Sequence, residues 1–135
     1  MNKSFIEKTI DIQAPAGKVW RVFTDPLASR QMGGEYVSDW KTGSSFGWKG
    51  SNGNMYTNGI ILQIETGRFL QHNLFGPDNK TVISVITYQL SENNTFTSLR
   101  AREDLFYGMT DNEYEEASQG WAFALNAVKE IAASL

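Results

Sequence analysis

The sequence predicts an α+β protein in which an antiparallel sheet lies against one long terminal helix. Two observations carry this. From about Val37 to Phe106 the chain breaks into short β-branched and aromatic runs separated by turn dipeptides, and after Asn112 the apolar period lengthens from two to between three and four. With 135 residues, 41% of them apolar, the chain has length for one core and reads as one domain, 1–135.

The elements follow in order. Phe5 to Ile12 alternates, with Ile6, Ile10 and Ile12 on one face and Glu7, Thr9 and Asp11 on the other, the signature of a half-buried strand. Pro15 suits the first turn of a helix that carries Val19, Trp20 and Phe23 at helical spacing. In "TDPLASRQMGG" Asp25 caps, Pro26 opens and Gly33–Gly34 stops a second short helix. A strand closing at Trp40 and another over "SSFGWKG" come next, joined by "KTGS", where Gly43 supplies positive φ. Phe46 and Trp48 share one face of the second strand. Gly47 between them marks a bulge or a close backbone approach. These glycines match neither G-x-x-x-x-G-K-S/T nor G-x-G-x-x-G, so they are turn glycines and not a phosphate cradle.

Four more strands, "YTNGIILQIE", "RFLQHNLF", "TVISVITYQL" and "TFTSLRAREDLF", are punctuated by Thr66-Gly67, Gly76-Pro77-Asp78-Asn79 and Glu92-Asn93-Asn94. Short turns make consecutive strands pair antiparallel. The closing helix shows the stripe Tyr114, Ala117, Trp121, Leu125, Val128, Ala132 and Leu135.

Composition removes several functions. A net charge of −3 with scattered Lys and Arg argues against a nucleic-acid partner. The absence of cysteine excludes disulfides, thiol catalysis and thiolate metal sites, and fits a cytoplasmic setting. No run approaches the ~20 apolar residues of a membrane span, and "MNKSFIEKTIDI" shows no leader pattern. A single histidine cannot build a multi-histidine metal site. No G-x-S-x-G and no serine positioned by that histidine support nucleophilic catalysis. The reading therefore expects no catalytic motif, no metal and no cofactor.

Residues in order then carry a resemblance. "APAGKVWRVFTDP", "VSDWKTGSSFGW", "VITYQL" with its following T-x-T-S-L, and "YEEASQGWAFALNAVK" resemble the family of activators of the heat-shock protein 90 ATPase, carboxy-terminal-domain type. That family lies within the START-like, polyketide-cyclase-like (SRPBCC) superfamily with the birch-pollen-allergen fold. The resemblance runs from about Phe5 to Leu135. It implies a helix-grip fold, a curved antiparallel sheet wrapped around the terminal helix with an elongated apolar cavity between them. Eukaryotic co-chaperones of the family carry an additional amino-terminal domain that engages the chaperone. Nothing like it precedes the first strand here, so a chaperone partner ranks below a small-molecule one.

The candidate cavity residues are Trp20, Phe46, Trp48, Leu62, His72, Tyr88, Leu99, Glu103, Trp121 and Leu125. His72 shares a face with Leu70 and Leu74, and is either a polar group that orients a ligand or moves a proton, or a hydrogen-bonded core histidine. Glu103 keeps the phase of Thr97, Leu99, Ala101 and Leu105, so it is an inward carboxylate in need of a partner such as His72, or a residue at the sheet edge in water. Tyr88 either meets a ligand with its hydroxyl or packs with that hydroxyl at the rim. Trp121 forms cavity floor with Trp20, Phe46 and Trp48, or plain core. In "TDNEYEE", Thr110 and Glu113 read as a capping box in preference to a carboxylate metal loop. The leading expectation is a non-catalytic binder of an apolar or amphipathic small molecule. The alternatives are a START-like cyclase, dehydratase or lyase using His72 and a pocket acid, and a chaperone-accessory interaction module. An edge strand leaves room for a homodimer.

Overall fold

The computed structural model describes residues 3–135. Met1 and Asn2, which open the stretch read above for a leader, lie outside the described residues.

Strand β1 (Lys3–Ile12) is followed by helices α1 (Ala16–Thr24) and α2 (Pro26–Ser29), with a 3-10 turn over Arg30–Met32. Six strands come next: β2 (Gly34–Ser38), β3 (Ser45–Gly50), β4 (Met55–Glu65), β5 (Phe69–Phe75), β6 (Val82–Glu92) and β7 (Thr97–Met109). Helix α3 (Asp111–Ser134) closes the chain. The strands form one antiparallel sheet in the order β1-β7-β6-β5-β4-β3-β2. The chain thus starts at one edge, crosses to the other through α1 and α2, and returns by hairpins until β7 lies beside β1. Helix α3 then packs back against β1 and α1, which is the helix grip.

Local chemistry sets the boundaries. Pro15 is the cap before α1 (φ −68°, ψ 157°), one residue earlier than its expected place inside the first turn. The Ala16 N–H there donates to Glu92 Oε1 at 2.7 Å, so a carboxylate from the end of β6 satisfies a free donor of α1. Asp25 accepts from the Leu27 N–H, with Pro26 at the first helical position, as the sequence predicts. Gly33 ends the 3-10 turn at φ +91°. The Thr110 hydroxyl accepts from the Glu113 N–H at 3.2 Å, and Glu113 Oε1 accepts from the Thr110 N–H at 2.9 Å, completing the capping box of α3.

Two strand ends differ from the expectation. β2 stops at Ser38, before Trp40, because Trp40 takes φ +58° and its N–H turns onto the Ser38 hydroxyl. β7 runs past Phe106 to Met109, where it still pairs with Lys3.

Glycine permits close approach at two places on the inner sheet. A Cβ on Gly47 would come within 2.6 Å of the Thr57 carbonyl oxygen, and the β3–β4 register shifts immediately after Trp48. A Cβ on Gly59 would collide with the Asn73 carbonyl oxygen. Beside it the Asn73 side chain replaces a ladder partner by accepting from the Ile60 N–H at 2.8 Å.

The core lies between the concave sheet face and the helices. Ile12, Val19, Phe23, Leu70, Leu99 and Leu125 are among its buried members. A smaller cluster of Ile6, Leu105 and Met109 packs on Tyr114 and Ala117 at the start of α3.

The expectation for Leu62 is corrected here. It points outward and is 40% exposed, while Ile61 is fully buried opposite His72. The cause is the irregular β4–β5 register between Ile61 and Gln63, which puts Ile61 on the inner face.

Candidate functional site

Strands β2 to β6 turn a band of aromatic rings toward the helices. Tyr36 from β2 lies 4.9 Å from Trp48 and 5.4 Å from Phe46, centroid to centroid. Phe46 stacks on His72 of β5 at 3.9 Å with 24° between planes, and Tyr88 of β6 packs on Phe23 of α1 at 4.9 Å. These rings touch one another, so part of the space between helix and sheet is filled.

Two hollows remain beside the band. One, of about 190 Å3, has a buried floor of Phe46, His72, Ile86 and Tyr88, and a half-buried rim of Tyr36, Trp48, Thr57 and Leu74. The other, a cleft of about 370 Å3, runs between α3 and the edge of the sheet. Phe123, Ala124 and Ala127 form its helix wall, with Tyr36, Trp48, Gln31 and Met32 opposite. Tyr36 and Trp48 line both hollows and partition them. The lining side chains are uncharged, apart from the titratable His72.

The polar groups facing inward have defined states. His72 is 2% exposed, and burial holds its imidazole down at about 4, although the Asn73 carbonyl works the other way. His72 Nδ1 lies 3.0 Å from that carbonyl oxygen, which only accepts, so Nδ1 carries the proton of the neutral ring. Nε2 is therefore an acceptor, and no hydrogen bond reaches it among the described residues. Burial pushes the Tyr36 phenol up to about 12, with the Tyr88 hydroxyl opposing part of the rise. Tyr88 is raised well above the ordinary phenol range, first by burial and then by the neighbouring Tyr36 and Glu103.

Glu103 faces inward on β7. Its Oε1 accepts from Trp121 Nε1 at 2.9 Å, so its partner is the indole of α3 and not His72. Across the sheet His72 is opposite Ile86, and Ile86 is opposite Glu103. The histidine and the acid share a face two strands apart, separated by an isoleucine.

Of the predicted residues, Phe46, Trp48, His72 and Tyr88 line the hollows. Trp20, Leu99 and Leu125 are buried in the main core, and Glu103 and Trp121 bond to each other beside Tyr88. The residues missed include Tyr36 and Phe123. Tyr36 was not legible, because in "EYVSD" it stands next to Val37 on the opposite strand face, and only the structure shows that Val37 is the one turned out, 43% exposed. Phe123 lies outside the apolar stripe of α3, and an aromatic on the polar side of a helix, here 80% exposed, is itself a signal. No group of three or more His, Asp or Glu side chains gathers to hold a metal ion, and no helix is long and apolar enough to cross a membrane, among the described residues.

Comparison with known proteins agrees with this architecture. Residues 13–133 match the family described as Activator of Hsp90 ATPase homolog 1-like protein, and the chain belongs to that family. No curated protein sequence matches it. A Cytophaga hutchinsonii protein solved in solution is similar at a TM-score of 0.76 and 27% identity, over 96% of this chain and 94% of that one. CalU16 from Micromonospora echinospora is similar at 0.75 and 22%, over 97% and 82%. The Aha1 dimer from Colwellia psychrerythraea is similar at 0.74 and 18%, over 95% of each chain.

Proposed function

We propose that this member of the Activator of Hsp90 ATPase homolog 1-like family binds a small, largely apolar molecule between its concave sheet and its terminal helix. The observation that carries the reading is the pair of hollows meeting at Tyr36 and Trp48. The cleft of about 370 Å3 falls within the roughly 300–1,000 Å3 usual for ligand pockets. Its walls are aromatic and aliphatic apart from Gln31, and the adjoining hollow adds a few polar groups, His72, Tyr88 and Thr57. Apolar walls supply binding free energy at about 25 cal/mol per Å2 of surface removed from water, and the few polar groups fix orientation.

Acid–base catalysis is the less supported reading. A pair acting on one substrate has to converge, and Glu103 is held by Trp121 with Ile86 between it and His72.

The test is a titration with N-phenyl-1-naphthylamine, an uncharged fluorophore that brightens in apolar surroundings, followed by its displacement with a library of uncharged hydrophobic metabolites. Saturable brightening that members of the library reverse is the expected result. A linear, unsaturated response, with no compound changing the melting temperature, rejects the proposal.

A further inference from the structure

The hydrogen-bond state of His72 narrows the chemistry of that guest, on the reading that the site takes an apolar molecule at all. Its Nδ1–H is committed to the Asn73 carbonyl at 3.0 Å. One face of the ring is covered by Phe46 at 3.9 Å, so the imidazole is fixed in place. His72 lines the hollow, and the one hydrogen-bonding group its ring has left is a single lone pair, on Nε2.

We infer that the guest is an uncharged molecule that presents a hydroxyl or N–H donor to Nε2 of His72, and that an anion of the same skeleton is rejected. An apolar guest without a donor would take water from Nε2 and give nothing back, which carries a penalty for a buried acceptor. A carboxylate would meet that lone pair edge on. It would also be desolvated among side chains with no cation to pair with, since neither Lys nor Arg lines either hollow. The low proton affinity of the buried imidazole is consistent with this, because His72 stays neutral at physiological pH.

Three matched compounds test the inference: 2-naphthol, its methyl ether 2-methoxynaphthalene, and 2-naphthoate. Calorimetry should find the naphthol bound about tenfold more tightly than the ether, the worth of one hydrogen bond to a buried acceptor, and the naphthoate weaker than both. His72 is the only histidine, so its ring nitrogens are assigned without ambiguity in 15N spectra. Naphthol should move the Nε2 resonance upfield while Nδ1 stays, and the ether should move neither in that way. In His72→Phe the preference for naphthol over ether should vanish while the ether is retained. If that variant does not fold, the nitrogen spectra of the unaltered protein still decide. Equal affinity for naphthol and ether with Nε2 unmoved overturns the inference and leaves the binding proposal standing, as does tighter binding of the naphthoate. No binding of the three while N-phenyl-1-naphthylamine still saturates also overturns the inference alone. No response to any of the four overturns both.

Discussion

The imidazole of His72 lies against the ring of Phe46, 3.9 Å between centroids and nearly parallel. That contact shields the histidine from water on one side and contributes to the desolvation that keeps it neutral. Replacing Phe46 with alanine should therefore do two things. Loss of a buried phenyl should lower stability by about 3–5 kcal/mol, measured by urea denaturation. Water entering the space should raise the His72 pKa from about 4 toward 6.5, read from its ring resonances.

Stability should depend on pH through the same residue. The folded pKa is depressed, so between about 4 and 6.5 the unfolded chain binds the proton that the folded one refuses. Stability contributed by neutral His72 is complete above about 6.5 and falls as the pH drops, by roughly 3 kcal/mol in all by pH 4. Denaturation of the wild type and of His72→Gln at several pH values checks this. The difference between them should slope across that window and be flat above it.

The Trp121–Glu103 hydrogen bond ties α3 to β7 at 2.9 Å. Trp121→Phe removes the donor and leaves a partly buried carboxylate without its partner, and should cost roughly 1.5–3 kcal/mol. Glu103→Gln keeps an acceptor oxygen in place and should cost less. Thermal melts of the two variants give the comparison, and equal losses would show that the bond contributes little.

Gly59 has no room for a side chain, because Asn73 brings its carbonyl oxygen into the space a Cβ would fill. Gly59→Ala should push β4 and β5 apart where Asn73 already stands in for a ladder partner. The expected outcome is a loss above the ~1 kcal/mol typical of point substitutions. Hydrogen exchange should increase in β4 and β5 first.

The cleft wall offers a way to block the site without disturbing the core. Ala124 is exposed on α3 and lines the cleft with Phe123 and Ala127. Ala124→Trp should fill part of the space and weaken N-phenyl-1-naphthylamine binding about tenfold, corresponding to ~1.4 kcal/mol. The melting temperature should stay near that of the wild type.

Strand phase was the most legible property of this chain. The period-two faces of β5, β6 and β7 group His72 with Leu70 and Leu74, Tyr88 with Ile86, and Glu103 with Leu99 and Leu105, and leave open whether His72 and Glu103 face a cavity. In the structure His72 and Tyr88 are buried, and Glu103 is half-buried against Trp121. Thr110 and Glu113 announced the start of α3 because capping chemistry is local and needs only four residues. Leu62 was misread because a bulge changes phase through a partner strand, here β5, that sequence alone does not supply. The division of the aromatic band into filled core and open hollow was also out of reach. Trp20 and Trp48 look alike in sequence, yet one packs into the core and the other borders open space. The Glu103–Trp121 bond joins residues from β7 and α3 whose meeting depends on how the helix crosses the sheet.

The most direct measurement is a 1H–15N and aromatic-ring NMR titration of the protein with N-phenyl-1-naphthylamine. Perturbations should saturate together and concentrate on Tyr36, Trp48 and His72, with contacts from the probe to the rings of Tyr36 and Trp48. Perturbations confined to the outer sheet face around Leu62, or none at any probe concentration, would contradict a guest site between the sheet and α3.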